Sequence, residues 1–163
     1  MGFDFSPEEA VRYTVAGRLE EWIHAFLTSA GANIALSEGL KLQKRWWIGP
    51  VYCSLSSVQR ICGPEENMAY KEPPDSFERR VTTMVKSLQE GWQAPPLIVE
   101  YGQDGKMSVR DGSHRHEALV RSGQRVYWAI FWCNSEADFN TFRNDTLGWA
   151  RPRLSAGRSP LEP

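Results

Sequence analysis

Residues 111–119 read DGSHRHEAL, and this stretch joins a predicted strand to a predicted helix. Gly112 permits a tight turn, and the first backbone amides of the helix after it have no partner within the helix. Such amides, at the positive end of a helix dipole, bind anions. Ser113, His114 and Arg115 add a hydroxyl, an imidazole and a guanidinium. The stretch therefore predicts a phosphate cradle; the alternative is an ordinary turn with a helix cap and two solvated basic residues.

The elements around this turn alternate between extended and helical segments. Pro95-Pro96 forces an extended chain just ahead of them. We predict a strand at residues 97–101, a hairpin turn at 102–105, a return strand at 106–110, a helix at 113–121 and an apolar strand at 126–132. The turn thus follows the second strand of a hairpin and precedes a helix, and the last strand is predicted to be central.

Further elements are predicted on either side of this unit. Residues 46–55 form a strand that is entered through Pro50, because proline has no amide to donate. Asp75 and Glu78 form a capping box for a helix that runs to about residue 90. A last helix is predicted at residues 135–147.

The N-terminal segment is predicted to be helical. Ser6 can cap a helix that begins at Pro7 and runs to about Ser29, while residues 33–44 fit no single element. Apolar residues recur along this helix at helical spacing: Val11, Val15, Leu19, Trp22, Ile23 and Phe26. Such a stripe must be buried. We expect it to pack on the sheet of the same chain, and a homodimer is the alternative.

Composition limits the classes of function. The chain has 163 residues and a net charge of −1, so it has no surplus of positive charge for non-specific nucleic-acid binding. No apolar run is long enough for a membrane span, and acidic residues near the N-terminus argue against a targeting peptide. Cys53, Cys62 and Cys133 form no disulfide framework, which favours a cytoplasmic location. Cys53 and Cys62 are interpreted as core packing, with a metal site as the alternative.

The Pro-Pro strand, the hairpin and the Asp-Gly-Ser-His-Arg turn resemble the core of the ParB/sulfiredoxin superfamily, from about residue 51 to residue 132. The resemblance implies an α+β fold, with a small mixed sheet flanked by helices. We accordingly divide the chain into an N-terminal helical extension (1–45), a ParB/sulfiredoxin-like nucleotide-binding domain (46–150) and a disordered tail (151–163).

Sulfiredoxins carry a catalytic cysteine in the matching turn, and this chain has Ser113 there. A serine cannot form the sulfur–sulfur intermediates of thiol chemistry, so sulfinic-acid repair is not expected. In that family the preceding helix lines the base and sugar of the nucleotide. The resemblance places Arg80, Thr83 and Ser87 in this role, and the alternative is a set of solvated polar residues on the helix.

Free serine kinases share the Asp-Gly-x-His-Arg form of the turn, in which the Asp acts with a Glu from an upstream loop. The resemblance thus implies that Asp111 is catalytic and binds Mg²⁺ or accepts a proton. Glu65, Glu66 and Glu72 lie in the loop that could supply the second carboxylate. The sequence does not choose among them, and Glu66 and Glu72 are the two selected as catalytic candidates. The alternatives are a helix cap for Asp111 and solvated surface for the glutamates.

The function that the sequence favours is therefore a phosphotransferase that uses ATP or ADP with Mg²⁺ on a small hydroxyl-bearing substrate. Its nucleotide would be held by Gly112, Ser113, His114 and Arg115. The alternative is a non-catalytic ParB-like nucleotide-binding or interaction module, and a ParB-like nuclease is a third reading. A role in chromosome partition is disfavoured because too few residues follow Trp132 for a helix-turn-helix and a dimer domain.

Overall fold

A mixed sheet with helices on both faces forms the centre of the computed structural model, which describes residues 2–145. The helices are α1 (Pro7–Val15), α2 (Leu19–Leu27), α3 (Ile34–Leu40), α4 (Pro74–Gln89) and α5 (Ser113–Arg121), and residues 136–145 are also helical. The strands are β1 (Trp46–Ser54), β2 (Gln59–Arg60), β3 (Cys62–Gly63), β4 (Tyr70–Lys71), β5 (Leu97–Tyr101), β6 (Met107–Asp111) and β7 (Val126–Cys133). The predicted α+β class is confirmed.

The main sheet has the strand order β1-β7-β5-β6-β2, while β3 and β4 form a separate pair. β5 and β6 are the antiparallel hairpin predicted from the sequence, and β7 runs parallel to β5 in the interior of the sheet. β6 leads directly into α5, so the turn at residue 112 lies at a strand–helix junction, as predicted.

The alternation of side chains along the interior strands supplies a core on each face of the sheet. On one face, Leu97, Val99 and Phe131 pack with Leu119 of α5 and with Phe142. On the other face, Ile98, Ile130 and Trp132 pack with residues of α1, α2 and α3, including Ala10, Trp22, Ile23 and Phe26. The N-terminal apolar stripe is therefore buried within its own chain from Leu19 to Phe26, and residues 2–45 share their core with the sheet.

The prediction of one long N-terminal helix was wrong. The helix breaks after Val15, where Gly17 adopts a φ of +73° and the amide of Arg18 donates to the carbonyl of Tyr13 over 2.7 Å. Glycine at this position ends helices because it has no Cβ to oppose the left-handed conformation. Val15, which was assigned to the apolar stripe, is 84% exposed.

Three local predictions also need correction. Pro50 lies inside β1 beside a register shift, and β1 tolerates it as an edge strand. α4 begins at Pro74 without a side-chain cap, and Glu78 instead pairs with Arg121 at 2.6 Å. A proline in the first turn has no amide that needs a cap. Residues 65–74, whose polar composition and two prolines predict a loop, contain β4, which pairs with β3.

Two predictions extend past the part of the chain that the structure describes. The last helix is described to residue 145 of the predicted 147, and the predicted tail at 151–163 lies outside the described residues. Within residues 2–145 no helix is both long enough and apolar enough to cross a membrane.

Candidate functional site

A cleft of about 640 Å³ opens where β6 passes into α5. The walls come from the connection from α2 to α3, from α3 itself, from the segment around β3, from Tyr70 of β4, from helix α4, and from the turn between β6 and α5. Its polar lining residues are Asn33, Cys62, Tyr70, Arg80, Arg110, Asp111, Ser113, His114 and Arg115. The structure therefore brings the predicted turn and Arg80 together in one cavity.

The turn has the geometry that the sequence predicts for an anion site. Gly112 has a φ of +112°, in the left-handed region that favours glycine, and no side chain caps α5. The first amides of this helix therefore have no acceptor from a capping side chain. A Cβ at position 112 would lie 2.9 Å from both Nη2 of Arg115 and Cδ2 of Leu97. Glycine is required here by backbone conformation and by space.

Ser113 connects the turn to the neighbouring loop and still has a proton to donate. Its Oγ accepts hydrogen bonds from the amides of Ile61 and Cys62, each at 3.3 Å. A hydroxyl has two acceptor lone pairs and one donor proton. Because both lone pairs of the hydroxyl are used, its proton remains available for donation. Phosphate oxygens accept hydrogen bonds, so a donor is what a phosphate group needs from Ser113.

Arg115 is buried and holds the turn against the Pro-Pro segment. Its Nε and Nη2 donate to the carbonyls of Pro95 and Pro96 over 3.2 and 2.9 Å. Both terminal nitrogens also lie 3.4 Å from Oδ2 of Asp111. The guanidinium thus already has three acceptors from its own chain. In this arrangement Arg115 positions the cradle, and its predicted direct contact with phosphate stays a prediction.

Asp111 is likewise engaged on both of its carboxylate oxygens. Oδ1 accepts a hydrogen bond of 2.9 Å from Nδ2 of Asn33, and Oδ2 faces Arg115. Each carboxylate oxygen carries two lone pairs, so these contacts leave acceptor capacity on both oxygens of Asp111. The predicted catalytic and Mg²⁺-binding roles of Asp111 stay predictions.

The loop glutamates differ in their surroundings. Glu65 forms an ion pair with Arg60, and Glu66, one of the two selected, pairs with Lys71 on the surface with its side chain 92% exposed. Glu72, the other, lies 2.6 Å from Nε2 of His114, beside the predicted turn. Of the three, Glu72 is therefore the one that contacts a residue of the predicted cradle.

Glu72 also contacts two other side chains. Its Oε2 accepts a hydrogen bond of 2.6 Å from Ser76, and the Sγ of Cys62 lies 3.5 Å from its Oε1. Burial works against the charge on Glu72, yet the hydrogen bonds from Ser76 and His114 hold the pKa of Glu72 below its ordinary value. Burial, aided by Glu72, raises the pKa of Cys62.

The three residues assigned to the base and sugar lie along α4 but face different surroundings. Arg80 lines the cleft and makes no ion pair within residues 2–145. The hydroxyls of Thr83 and Ser87 donate to the carbonyls of Arg79 and Thr83 in their own helix. Ser87 lines a separate depression together with Trp92. The roles of Thr83 and Ser87 stay predictions.

Sequence reasoning missed three residues of the site. Asn33 reaches Asp111 from the N-terminal segment, Arg110 lines the cleft, and Cys62 contacts Glu72. The sequence carries no local pattern that places Asn33 or Arg110 there. Cys62 lies in β3, and Glu72 directly follows β4. Each of these strands has two residues, which is too short for an apolar period to indicate what the segment contacts.

No protein-family model matches the chain, and no curated sequence matches it. It is similar to the structure of a Pnob8-like ParB-N domain, at 15% identity and a TM-score of 0.33, covering 71% of this chain and 39% of that one. It is also similar to C-terminally truncated ParB from Caulobacter crescentus complexed with CTP-γ-S, at 13% identity and a TM-score of 0.32, covering 72% of this chain and 55% of that one. The chain spans less than two thirds of the length of either.

Proposed function

We propose that the cleft binds a nucleotide by its phosphate groups. The observation that carries the proposal is the uncapped N-terminus of α5, which begins at Ser113 on the wall of a cleft of about 640 Å³. Backbone amides and the helix dipole at such an end favour bound phosphate. The volume falls in the range of small-molecule sites, roughly 300–1,000 Å³.

The other walls of the cleft suit the rest of a nucleotide. Arg80 adds positive charge without an internal partner among the described residues, and Arg110 adds a second guanidinium. Apolar and aromatic residues supply surface against which a base or sugar can pack: Ala30, Ala32, Ala35, Leu36, Tyr70 and Met84. The lining of the cavity thus combines charged groups with apolar surface, a combination found in small-molecule sites.

Calorimetric titration with ATP, ADP, CTP and GTP tests this proposal. CTP belongs in the set because the Caulobacter ParB structure holds a CTP analogue. Losing one charge-assisted hydrogen bond costs about 1.5–3 kcal/mol, so Arg80→Ala should weaken binding of the preferred nucleotide about tenfold or more. Lys86→Ala is the matched control, because Lys86 lies on the same helix and outside the cleft lining. Equal affinity of the Arg80→Ala and wild-type proteins would contradict the proposal.

A second candidate is a phosphotransferase that uses ATP or ADP, and the position of Glu72 beside the turn favours it. The oxygen of a small hydroxyl substrate would attack the terminal phosphorus and displace the remaining nucleotide. Glu72, ionised at neutral pH, would accept the hydroxyl proton. Asp111 would keep the turn in place through Arg115.

Incubation with ATP or ADP and hydroxylated amino acids or metabolites, followed by mass spectrometry, tests the second candidate. A phosphorylated product that disappears in Glu72→Gln, with nucleotide affinity unchanged, would support it. Glu66→Gln is the control because Glu66 is exposed and pairs with Lys71. Nucleotide binding without any turnover would leave the binding module as the function.

A further inference from the structure

Cys62, Glu72 and His114 bring a thiol, a carboxylate and an imidazole together beside the cleft. The ligand atoms of the three side chains all lie within 4.8 Å of one another. All three residues are partly buried, and the side chains of His114 and Glu72 are 16% and 12% exposed. Nucleotide binding, as proposed above, does not require the thiol, whereas a metal ion bound by Glu72 would exclude Glu72 from acting as the base of the second candidate function.

The backbone holds these three residues in place independently of their side chains. The β3–β4 pair puts Cys62 opposite Tyr70, and the amide of Glu72 donates to the carbonyl of Gly63 over 2.8 Å. The amide of Cys62 donates to Oγ of Ser113, the neighbour of His114. Three separate segments of the chain are thus fixed around one point.

One of the three separations matches that of a tetrahedral metal site, a second is shorter by less than about one ångström, and the third, between Cys62 and His114, is within 4.8 Å. Zinc bonds of about 2.3 Å to sulfur and about 2.0–2.2 Å to nitrogen and oxygen imply ligand–ligand distances of roughly 3.4–3.6 Å. Sγ of Cys62 lies 3.5 Å from Oε1 of Glu72. Nε2 of His114 lies 2.6 Å from the same oxygen, a hydrogen-bond distance. An ion would take the place of the shared proton if His114 and Glu72 separated by less than about one ångström.

We propose that Cys62, Glu72 and His114 bind a zinc ion at the wall of the cleft. A thiolate and a carboxylate neutralise a divalent cation, so the occupied site carries no net charge next to Arg80 and the other basic residues of the cleft. Sulfur and nitrogen ligands select Zn²⁺ over Mg²⁺ and Ca²⁺, which take oxygen.

The surroundings of the three ligands suit such a site. The hydrogen bond from Ser76 to Oε2 of Glu72 orients the carboxylate and leaves Oε1 for the metal. Three protein ligands leave the fourth position of a tetrahedral ion open. Cys62 and His114 both line the cleft, so an oxygen of a bound ligand can reach that position from the cavity.

Titration of the full chain with Zn²⁺, without nucleotide, tests the zinc proposal separately from the proposed function. The wild-type protein should bind one equivalent, and Cys62→Ala and Glu72→Gln should each weaken binding by at least tenfold. Glu66→Gln, which removes an exposed carboxylate of the same loop, should bind as the wild type does. Co²⁺ supplies a second readout, because a cysteine ligand produces a sulfur-to-cobalt charge-transfer absorption.

The charge-transfer absorption should appear with the wild-type protein and be absent from a folded Cys62→Ala variant. Failure of the wild-type protein to bind a stoichiometric zinc ion would overturn the proposal. Binding of equal affinity in the wild-type and Cys62→Ala proteins would overturn it as well, since the ion would then lie elsewhere.

Discussion

Asn33 donates a hydrogen bond of 2.9 Å from Nδ2 to Oδ1 of Asp111, which lies 78 positions further along the chain. The Oδ1 of the same Asn33 side chain accepts from the amide of Leu36 and caps α3. One amide group therefore joins the N-terminal helices to the strand end that precedes the cradle. Through Asp111, this contact also orients the buried guanidinium of Arg115.

Asn33→Asp should destabilise the protein because it replaces the donor to Asp111 with a second carboxylate. The helix cap survives, since aspartate accepts the amide of Leu36 as asparagine does. A hydrogen bond to a charged group is worth about 1.5–3 kcal/mol, and the free energy of unfolding should fall by at least that amount. Urea unfolding at pH 7 measures it. Unchanged stability would show that the contact with Asp111 contributes nothing.

Asp111→Asn should also destabilise the fold, because it leaves the buried guanidinium of Arg115 without its carboxylate partner. The side chains of the pair are each 9% exposed, and breaking a buried pair from one side costs roughly 3–5 kcal/mol. The 3.4 Å separations favour the lower end of that range. Urea unfolding beside Asp104→Asn, a carboxylate in the exposed hairpin turn, gives the comparison. Equal stability of the two variants would contradict the structural role of the pair.

Trp22→Ala should be among the most destabilising changes in the N-terminal segment. Trp22 is fully buried, stacks with Phe26, and its indole nitrogen donates to Glu9 over 2.9 Å. Truncation of a buried tryptophan costs about 3–5 kcal/mol, and here it also leaves a buried carboxylate without one donor. Val15→Ala, at an exposed position, should change thermal stability little. Similar melting temperatures for the two variants would mean that α2 is not part of the core.

The sequence predicted the fold best where local chemistry and packing agree. The bounds of β5 and α5 match the predicted ones because Pro-Pro, the hairpin turn and Gly112 all act within a few residues. The helix break at Gly17 was missed because the apolar period continues across it. Val15 has the helical spacing of the apolar residues and is nevertheless 84% exposed. Apolar spacing carries no signal of a left-handed residue between two helices.

The candidate site was predictable in its centre and not at its edges. The turn at 111–115 is contiguous in sequence, so its residues could be assigned together. Asn33 and Cys62 reach the site through tertiary contacts with no sequence pattern, and Arg115 turns away toward two backbone carbonyls. A motif gives residue types, whereas packing decides which of their atoms remain available.

His24 should make the protein less stable in mildly acidic solution. Burial, aided by Lys41, lowers the pKa of His24 below its ordinary value of 6.5, although Glu20 and Glu38 oppose the shift. The unfolded state then binds more protons than the native state between the two pKa values. The contribution to stability is fully present above pH 6.5 and is lost as pH falls toward the native pKa.

Urea unfolding at pH 5 and pH 7.5 measures this effect of His24. Nδ1 of His24 lies 2.7 Å from Oγ of Ser37, and His24→Gln keeps a polar group there without a titrating one. The difference in stability between the two pH values should be smaller in the variant than in the wild type. An identical difference in both proteins would assign the pH dependence to other groups.

Gly112→Ala should remove nucleotide binding and lower stability, whereas Gly123→Ala at the other end of α5 should lower stability alone. Both glycines have a positive φ, of +112° and +86°, so each substitution strains the backbone. Only the Cβ at 112 meets Arg115 and Leu97 at 2.9 Å, while that at 123 meets no described atom within 4 Å. Overpacking adds about 1–3 kcal/mol, so Gly112→Ala should be the less stable variant by that amount.

The new methyl group of Gly112→Ala also pushes on the guanidinium that fixes the turn, so the amides of α5 no longer converge on a phosphate. Calorimetry with the preferred nucleotide, at a temperature where both variants are folded, separates the two effects. Normal affinity in folded Gly112→Ala would place the phosphate site elsewhere.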